Sequence, residues 1–194
     1  MPLSSSLSVA LKEWAVLDSA IEAGQQILLL RKGGISESIG GFQLEYPEFL
    51  IFPTYLHQNA AMLKSPWSGR VAKADAEPNT VRITTAAAVT DIVRVRDRKQ
   101  IDAIDDQHIW LGPLIDMRFN YRPDNPLYLI LIRAGRLVDP VTITNTPAYA
   151  GCKSWVPLSN PVATAGAIAF LNDAEYKARR ELILGRIDAS AESC

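Results

Sequence analysis

Gln25-Gln26-Ile27-Leu28-Leu29-Leu30-Arg31-Lys32-Gly33-Gly34 is the stretch on which the fold turns. A short unbroken apolar run, bounded by two glutamines and then by two cations and two glycines, reads as a buried strand entering a turn. Upstream, Trp14-Ala15-Val16-Leu17 reads as a strand, with Asp18 capping a short helix that runs through Ala23 and stops at Gly24. Leu7, Leu11, Trp14 and Ile21 also allow one longer helix there.

Downstream, Phe42, Leu44 and Tyr46 alternate with Gln43 and Glu45, and Phe49 to Phe52 is a second apolar run before Pro53. These two runs suggest a hairpin bent at Pro47. Thr54 would cap a helix over 55–63 that ends before Pro66, and 65–79 reads as a loop. Val81, Ile83, Val89, Val93 and Val95 suggest a long or bent strand, followed by a short helix near Arg98–Ile104 and a loop at Gly112-Pro113. Ile115–Tyr121 and Leu127–Arg133 are further strand candidates. Asn172 and Glu175 have cap-to-N3 spacing, and Tyr176, Ile183 and Ile187 share one face, so 172–187 reads as a helix.

Strands outnumber helices and do not alternate with them, which predicts the α+β class: a mixed or antiparallel central sheet flanked by short helices and a C-terminal helix. The chain of 194 residues, with 48% hydrophobic and 21% charged residues and mean hydropathy +0.04, has an ordinary globular composition. No repeat or long linker divides it, so 1–194 reads as one domain, with 1–10 and 189–194 as flexible ends. A net charge of −1 excludes a strong molecular field for polyanions, so any nucleic-acid contact must use a local patch. Two cysteines, Cys152 and Cys194, form neither a disulfide scaffold nor a zinc knuckle and fit a reducing cytoplasm. The absence of a basic leader or a long apolar run predicts neither export nor a membrane partner.

Arg31-Lys32-Gly33-Gly34 places two cations beside a permissive backbone turn, an arrangement suited to an anion, although neither the dinucleotide fingerprint nor the Walker spacing is present. A solvated turn at a strand end is the plainer reading. His57-Gln58 supplies an acid/base candidate, or else a helical histidine that simply caps a core contact. A metal site would need Glu45, Glu48 or Asp116, because the chain has only His57 and His108 and lacks any HExxH pair. Tyr149-Ala150-Gly151-Cys152-Lys153-Ser154-Trp155-Val156 gathers a thiol, a cation and two aromatics. Cys152 reads as inert and buried rather than nucleophilic, and Trp155 as packing rather than a stacking platform. Arg94, Arg96, Arg98 and Lys99 form one basic cluster, partly neutralised by Asp91 and Asp97, that would project to one face if the strand continues. It suits a phosphate backbone or, more plainly, a solvated sheet edge.

Glu13-Trp14-Ala15, Leu28 through Ile35, Phe49 through Thr54 with His57-Gln58, and Tyr149 through Val156 together resemble the bacterial family called domain of unknown function 1802. The resemblance implies an intracellular protein in a nucleic-acid context, near restriction–modification genes, and carries over no catalytic residue. The expected function is an accessory or binding domain acting near nucleic acid, with Arg31, Lys32, Gly33, Gly34, His57, Gln58, Lys153 and Trp155 lining an anion-binding cleft. The alternatives are a metal-dependent phosphodiesterase or nuclease, using Glu45, Glu48 or Asp116 with Lys32 opposing phosphate charge, and a protein-interaction module without a small ligand. No cofactor or oligomeric state is assigned.

Overall fold

A computed structural model describes residues 3–32, 37–38, 41–42, 45–151 and 153–192. The strands are β1 (Ser6–Trp14), β2 (Leu28–Arg31), β3 (Glu37–Ser38), β4 (Gly41–Phe42), β5 (Glu48–Thr54), β6 (Thr80–Val95), β7 (Leu127–Thr144), β8 (Trp155–Ala163) and β9 (Ile168–Ala169). The α-helices are α1 (Ala15–Glu22), α2 (Arg98–Asp102), α3 (Gly112–Asn120) and α4 (Asp173–Glu192). The main sheet runs β2-β7-β6-β5-β1-β8, with β9 added to β7, while β3 pairs with β4 apart from it. Only β1 and β5 run parallel, so the sheet is mixed, and the α+β class holds.

The long β6–β7 pair is its spine, with register shifts after Ile83 and Val89 that bend it. β5 alternates between two cores: Phe49 and Ile51 enter the larger, which α1 to α4 cover, whereas Leu50 and Phe52 join Leu7, Val81, Ile83 and Val162 in the smaller. Gly135 in β7 admits β9, because a Cβ there would lie 2.7 Å from the Ile168 carbonyl oxygen.

The buried run Leu28–Leu30 is a strand, and the long β6, the start of β7 and the short α2 fall where the pattern placed them. Asn172 and Glu175 cap the last helix reciprocally, at 2.9 and 3.0 Å. Other expectations are corrected. Residues 14–17 are not a strand: β1 ends at Trp14, which is the N-cap of α1, and Asp18 lies buried in the helix's first turn rather than capping it. Ser6–Ala10, placed among flexible residues, are strand, and 189–192 continue α4.

β5 takes β1 and β6 as neighbours and so forms no hairpin across Pro47. Gln43 and Leu44 lie outside the described residues. No α-helix covers 55–63, because His57 turns the chain with φ 68° before a short 3-10 helix at Ala60–Met62. Ile115–Asn120 belongs to helix α3 rather than a strand, with Tyr121 as its C-cap. Gly112-Pro113 opens that helix, where proline's missing N–H costs nothing, and Leu114 and Ile115 fill the core.

β2 stands at one end of the strand order and β1 near the other, yet the Arg31 side chain on β2 donates to the Lys12 carbonyl oxygen at 2.6 Å and pairs with Glu13 at 2.6 Å. The sheet is therefore curled, with its two ends tied at this corner. Both charged side chains are nearly out of solvent, at 12% and 9% exposure. Removing either partner would leave the other charge buried, at a cost of about 3–5 kcal/mol. Arg31→Met and Glu13→Gln should each lower the urea midpoint by that equivalent, and the double variant should recover a large part of the loss. Strictly additive losses would contradict the coupling.

Candidate functional site

Three polar sites emerge from this frame. The first is the corner itself. Arg118, from the last turn of α3, lies beside Glu13 and Arg31, and its guanidinium is shifted down chiefly by burial, with Arg31 adding repulsion and Glu13 opposing it. Trp155 faces Leu11 in the β1–β8 register, which puts it diagonal to Glu13 on the same face. Its ring packs edge-on against Tyr46 at 5.1 Å and Phe49 at 5.4 Å. Arg31 Nε, Arg118 Nε and Trp155 Nε1 are buried and find no hydrogen-bond acceptor among the described residues.

The second site is a cleft of about 260 Å³ between the ends of β2 and β6 and the α3–β7 connection, lined by Lys32, Arg94, Arg96, Phe119 and Asp124 among others. Alternation along β6 sends Arg94 to this side, and Arg96 follows just past the strand end. Both are exposed, and neither guanidinium makes a hydrogen bond or ion pair among the described residues. Lys32 is buried beneath, its ammonium donating to the Phe119 carbonyl. The rest of the basic cluster turns away. Arg98 is held by Asp102 and by Asp116 at 2.9 Å, and Lys99 is exposed on α2. Asp91, read as neutralising the cluster, instead takes a two-pronged contact from Arg180 of α4.

The third is an open cavity of about 260 Å³ where α1, the end of β5 and the start of β6 meet. Asp18 and Glu22, one helical turn apart, line it with Tyr55 and Gln58, and Arg70 and Arg82 stand exposed at its edge. Asp18 is 6% exposed, and its Oδ1 has no partner among the described residues. Burial, foremost, and then Glu22 and Glu13 push its carboxyl up to about 7 against a hydrogen bond from Thr85.

The residues expected in one cleft are thus dispersed. Arg31 and Trp155 meet at the corner, Lys32 joins the arginine cleft, and Gln58 walls the third cavity while accepting the Val16 N–H at the start of α1 (2.9 Å). His57 and Lys153 are exposed, and Gly33, Gly34 and Cys152 lie outside the described residues. Glu48 accepts from Ser4, Asp116 holds Arg98, and Glu45 is exposed. Among the described residues no three His, Cys, Asp or Glu gather as metal ligands. His108 is buried against Trp110 and held neutral, its pKa lowered to about 4 chiefly by burial and next by Lys64. Among the described residues no helix is long and apolar enough to cross a membrane.

A family model for a domain of unknown function, DUF1802, matches residues 10–182. The chain belongs to the DUF1802 family. Comparison with curated proteins gives no match. Three solved structures are similar: the ASCH protein from Zymomonas mobilis, a serine-to-alanine mutant of it and a tyrosine-to-phenylalanine mutant. Each is 12% identical over 90% of this chain and 94–96% of theirs, with TM-scores of 0.42–0.43.

In this DUF1802 domain the residues that sequence reading missed are Arg118, Arg70, Arg82 and Asp18. Asp18 alone carried a signal: it stands between Val16-Leu17 and Ala20-Ile21 on a helix whose apolar face is buried. Because the folded carboxyl holds its proton more tightly than the unfolded one, its contribution to stability is full near pH 4. It is lost as pH rises toward 7, by roughly 4 kcal/mol. Asp18→Asn should therefore be the more stable protein at pH 8, with the gap closing by pH 4. His108 acts in the opposite direction, losing its contribution as pH falls from 6.5 through 4, but equally in both proteins. Urea midpoints across pH 4–8 check this, and a gap that does not change with pH would refute it.

Proposed function

We propose that the domain is an accessory nucleic-acid-binding module that grips the phosphate backbone in the Lys32–Arg94–Arg96 cleft. The observation that carries this reading is the convergence of three cations, two with exposed and uncommitted guanidinium groups, on one concave surface that holds a single carboxylate, Asp124. Guanidinium groups free of internal partners are ready to form paired, charge-assisted hydrogen bonds to phosphate oxygens. The buried Lys32 ammonium adds fixed charge at the cleft floor. With a near-neutral chain, affinity comes from these local contacts, so binding is modest and salt-sensitive. The cations that dominate the described lining answer phosphate rather than base, which supports a backbone-gripping accessory role; a cytoplasmic, restriction–modification setting is what the family resemblance implies.

The test is a salt titration of binding to duplex and single-stranded probes. Arg94→Ala/Arg96→Ala, at exposed positions, should leave the fold intact, weaken binding and flatten the log–log salt slope by about 0.9 per lost phosphate contact on duplex, or about 0.7 on single strands. Absence of binding at low salt, or an unchanged slope in the double variant, would overturn the proposal.

A further inference from the structure

The cavity at Asp18 lies apart from the arginine cleft. Arg82 and Arg94 sit near opposite ends of β6, up to about 40 Å along the strand. Its charges are layered. The floor is acidic: Asp18, with a buried and unpartnered oxygen, and Glu22 beside it. The mouth is basic: Arg82 makes no side-chain bond or ion pair among the described residues, and Arg70 stacks over the Trp67 ring at 4.6 Å. Between them the wall carries Ala15, Val16, Pro53, Ala72 and the Tyr55 ring, interspersed with polar Ser19, Gln58 and Thr84.

Tyr55 and Arg82 also line an adjoining hollow of about 390 Å³, which leaves room beyond the mouth. A fitting ligand is the mirror of this layering: a planar head with N–H donors pointing inward and an anionic tail pointing out.

We propose that this cavity binds a guanine nucleotide, with the base edge donating to Asp18 and the phosphate held by Arg82 and Arg70. Guanine suits an acceptor-rich floor because N1–H and the N2 amino group are adjacent donors, whereas adenine and cytosine set an acceptor beside their amino group. Tyr55 offers its ring to the base and the guanidinium groups answer the phosphate. The ligand supplies the partner that Asp18 lacks.

Only the ionised carboxylate accepts both donors, so affinity rises with pH until Asp18 is fully ionised near pH 8. The groups acting on Asp18 are Glu22 on its own helix, Glu13 at the end of β1 and Thr85 on β6, while Tyr55, Arg70 and Arg82 line the same cavity. The two carboxylates hold its proton on, and a hydrogen bond from Thr85 favours its loss.

Calorimetric titration of the full chain at pH 7.5 with GMP, AMP, guanosine, inorganic phosphate and Mg²⁺ tests this. The expected result is one GMP site, with AMP at least about tenfold weaker, as the loss of a charged hydrogen bond predicts. Asp18→Asn, which should fold well, should weaken GMP by a similar factor and abolish the pH dependence. Arg82→Ala should weaken GMP but not guanosine. Equal binding of AMP, unchanged affinity in Asp18→Asn, or no GMP binding at millimolar concentration overturns the assignment. Mg²⁺ binding lost in Asp18→Asn without any GMP binding overturns it in favour of a cation site. The Lys32 cleft is untouched by these variants, so failure here and failure of backbone binding are distinguishable.

Discussion

Arg31 and Glu13 meet at 2.6 Å, nearly out of solvent, and the course of the sheet depends on that contact. β2 reaches the sheet only through β7, with β6 and β5 still between β7 and β1. Nothing in backbone pairing alone requires the two ends to approach. A buried ion pair is weak evidence of net stability, because desolvation offsets much of the attraction, but it is strong evidence of geometry, since neither charge tolerates being left alone. The second bond from Arg31, to the Lys12 carbonyl, fixes the register of the closure as well as its existence. α3 then closes over the corner with Arg118, a second cation that Glu13 partly answers. The curl also sets the larger core, because Phe49, Ile51 and Trp155 face the inside that it creates.

The arginines divide by whether the fold uses them. Arg98 joins α2 to α3 through Asp116 while pairing with Asp102 on its own helix, Arg180 joins α4 to β6 through Asp91, and Arg133 takes Asp173 at the start of α4. These pairs lie at element junctions and are partly solvated, so each contributes modest energy and more definite orientation. Arg82, Arg94 and Arg96 are left over on β6 and just beyond it. A near-zero net charge conceals this separation, because a sum over the whole chain says nothing of which arginines the carboxylates reach.

Where the sequence was legible, a single physical signal dominated. Leu28–Leu30 could only be buried, the valines of 81–95 could only be extended, and Asn172 with Glu175 capped a helix as their spacing required. It misled where two signals competed. Ile115 through Tyr121 has strand-like composition, but Gly112-Pro113 starts a helix, and the core takes Leu114 and Ile115 from its face. Thr54 resembles a cap, yet it continues β5 and donates its hydroxyl to the Glu13 carbonyl, while Glu77 from a distant segment holds the N–H groups of Tyr55 and Leu56. The polar residues near the apolar runs were expected on one rim because those runs pack together. The runs do meet, but alternation and the curl send Arg31 inward, Lys32 into the arginine cleft and Gln58 to the start of α1.

Asp18 is the one described carboxylate that the fold leaves both buried and short of a partner at Oδ1. Helix α1 otherwise has an apolar face against the sheet and Gly24 in a left-handed turn after its end. A carboxylate on that buried face breaks the pattern with a hydrogen bond from Thr85 as its internal support and with Oδ1 unpartnered among the described residues, and it does so beside an open cavity rather than in sealed core. Such breaks in local consistency concentrate at functional positions, because folding alone would favour an apolar side chain there. An asparagine would fill the same volume without the ionisation penalty. What the carboxylate adds is an ionisable acceptor beside the cavity, the contribution on which the proposed ligand would draw.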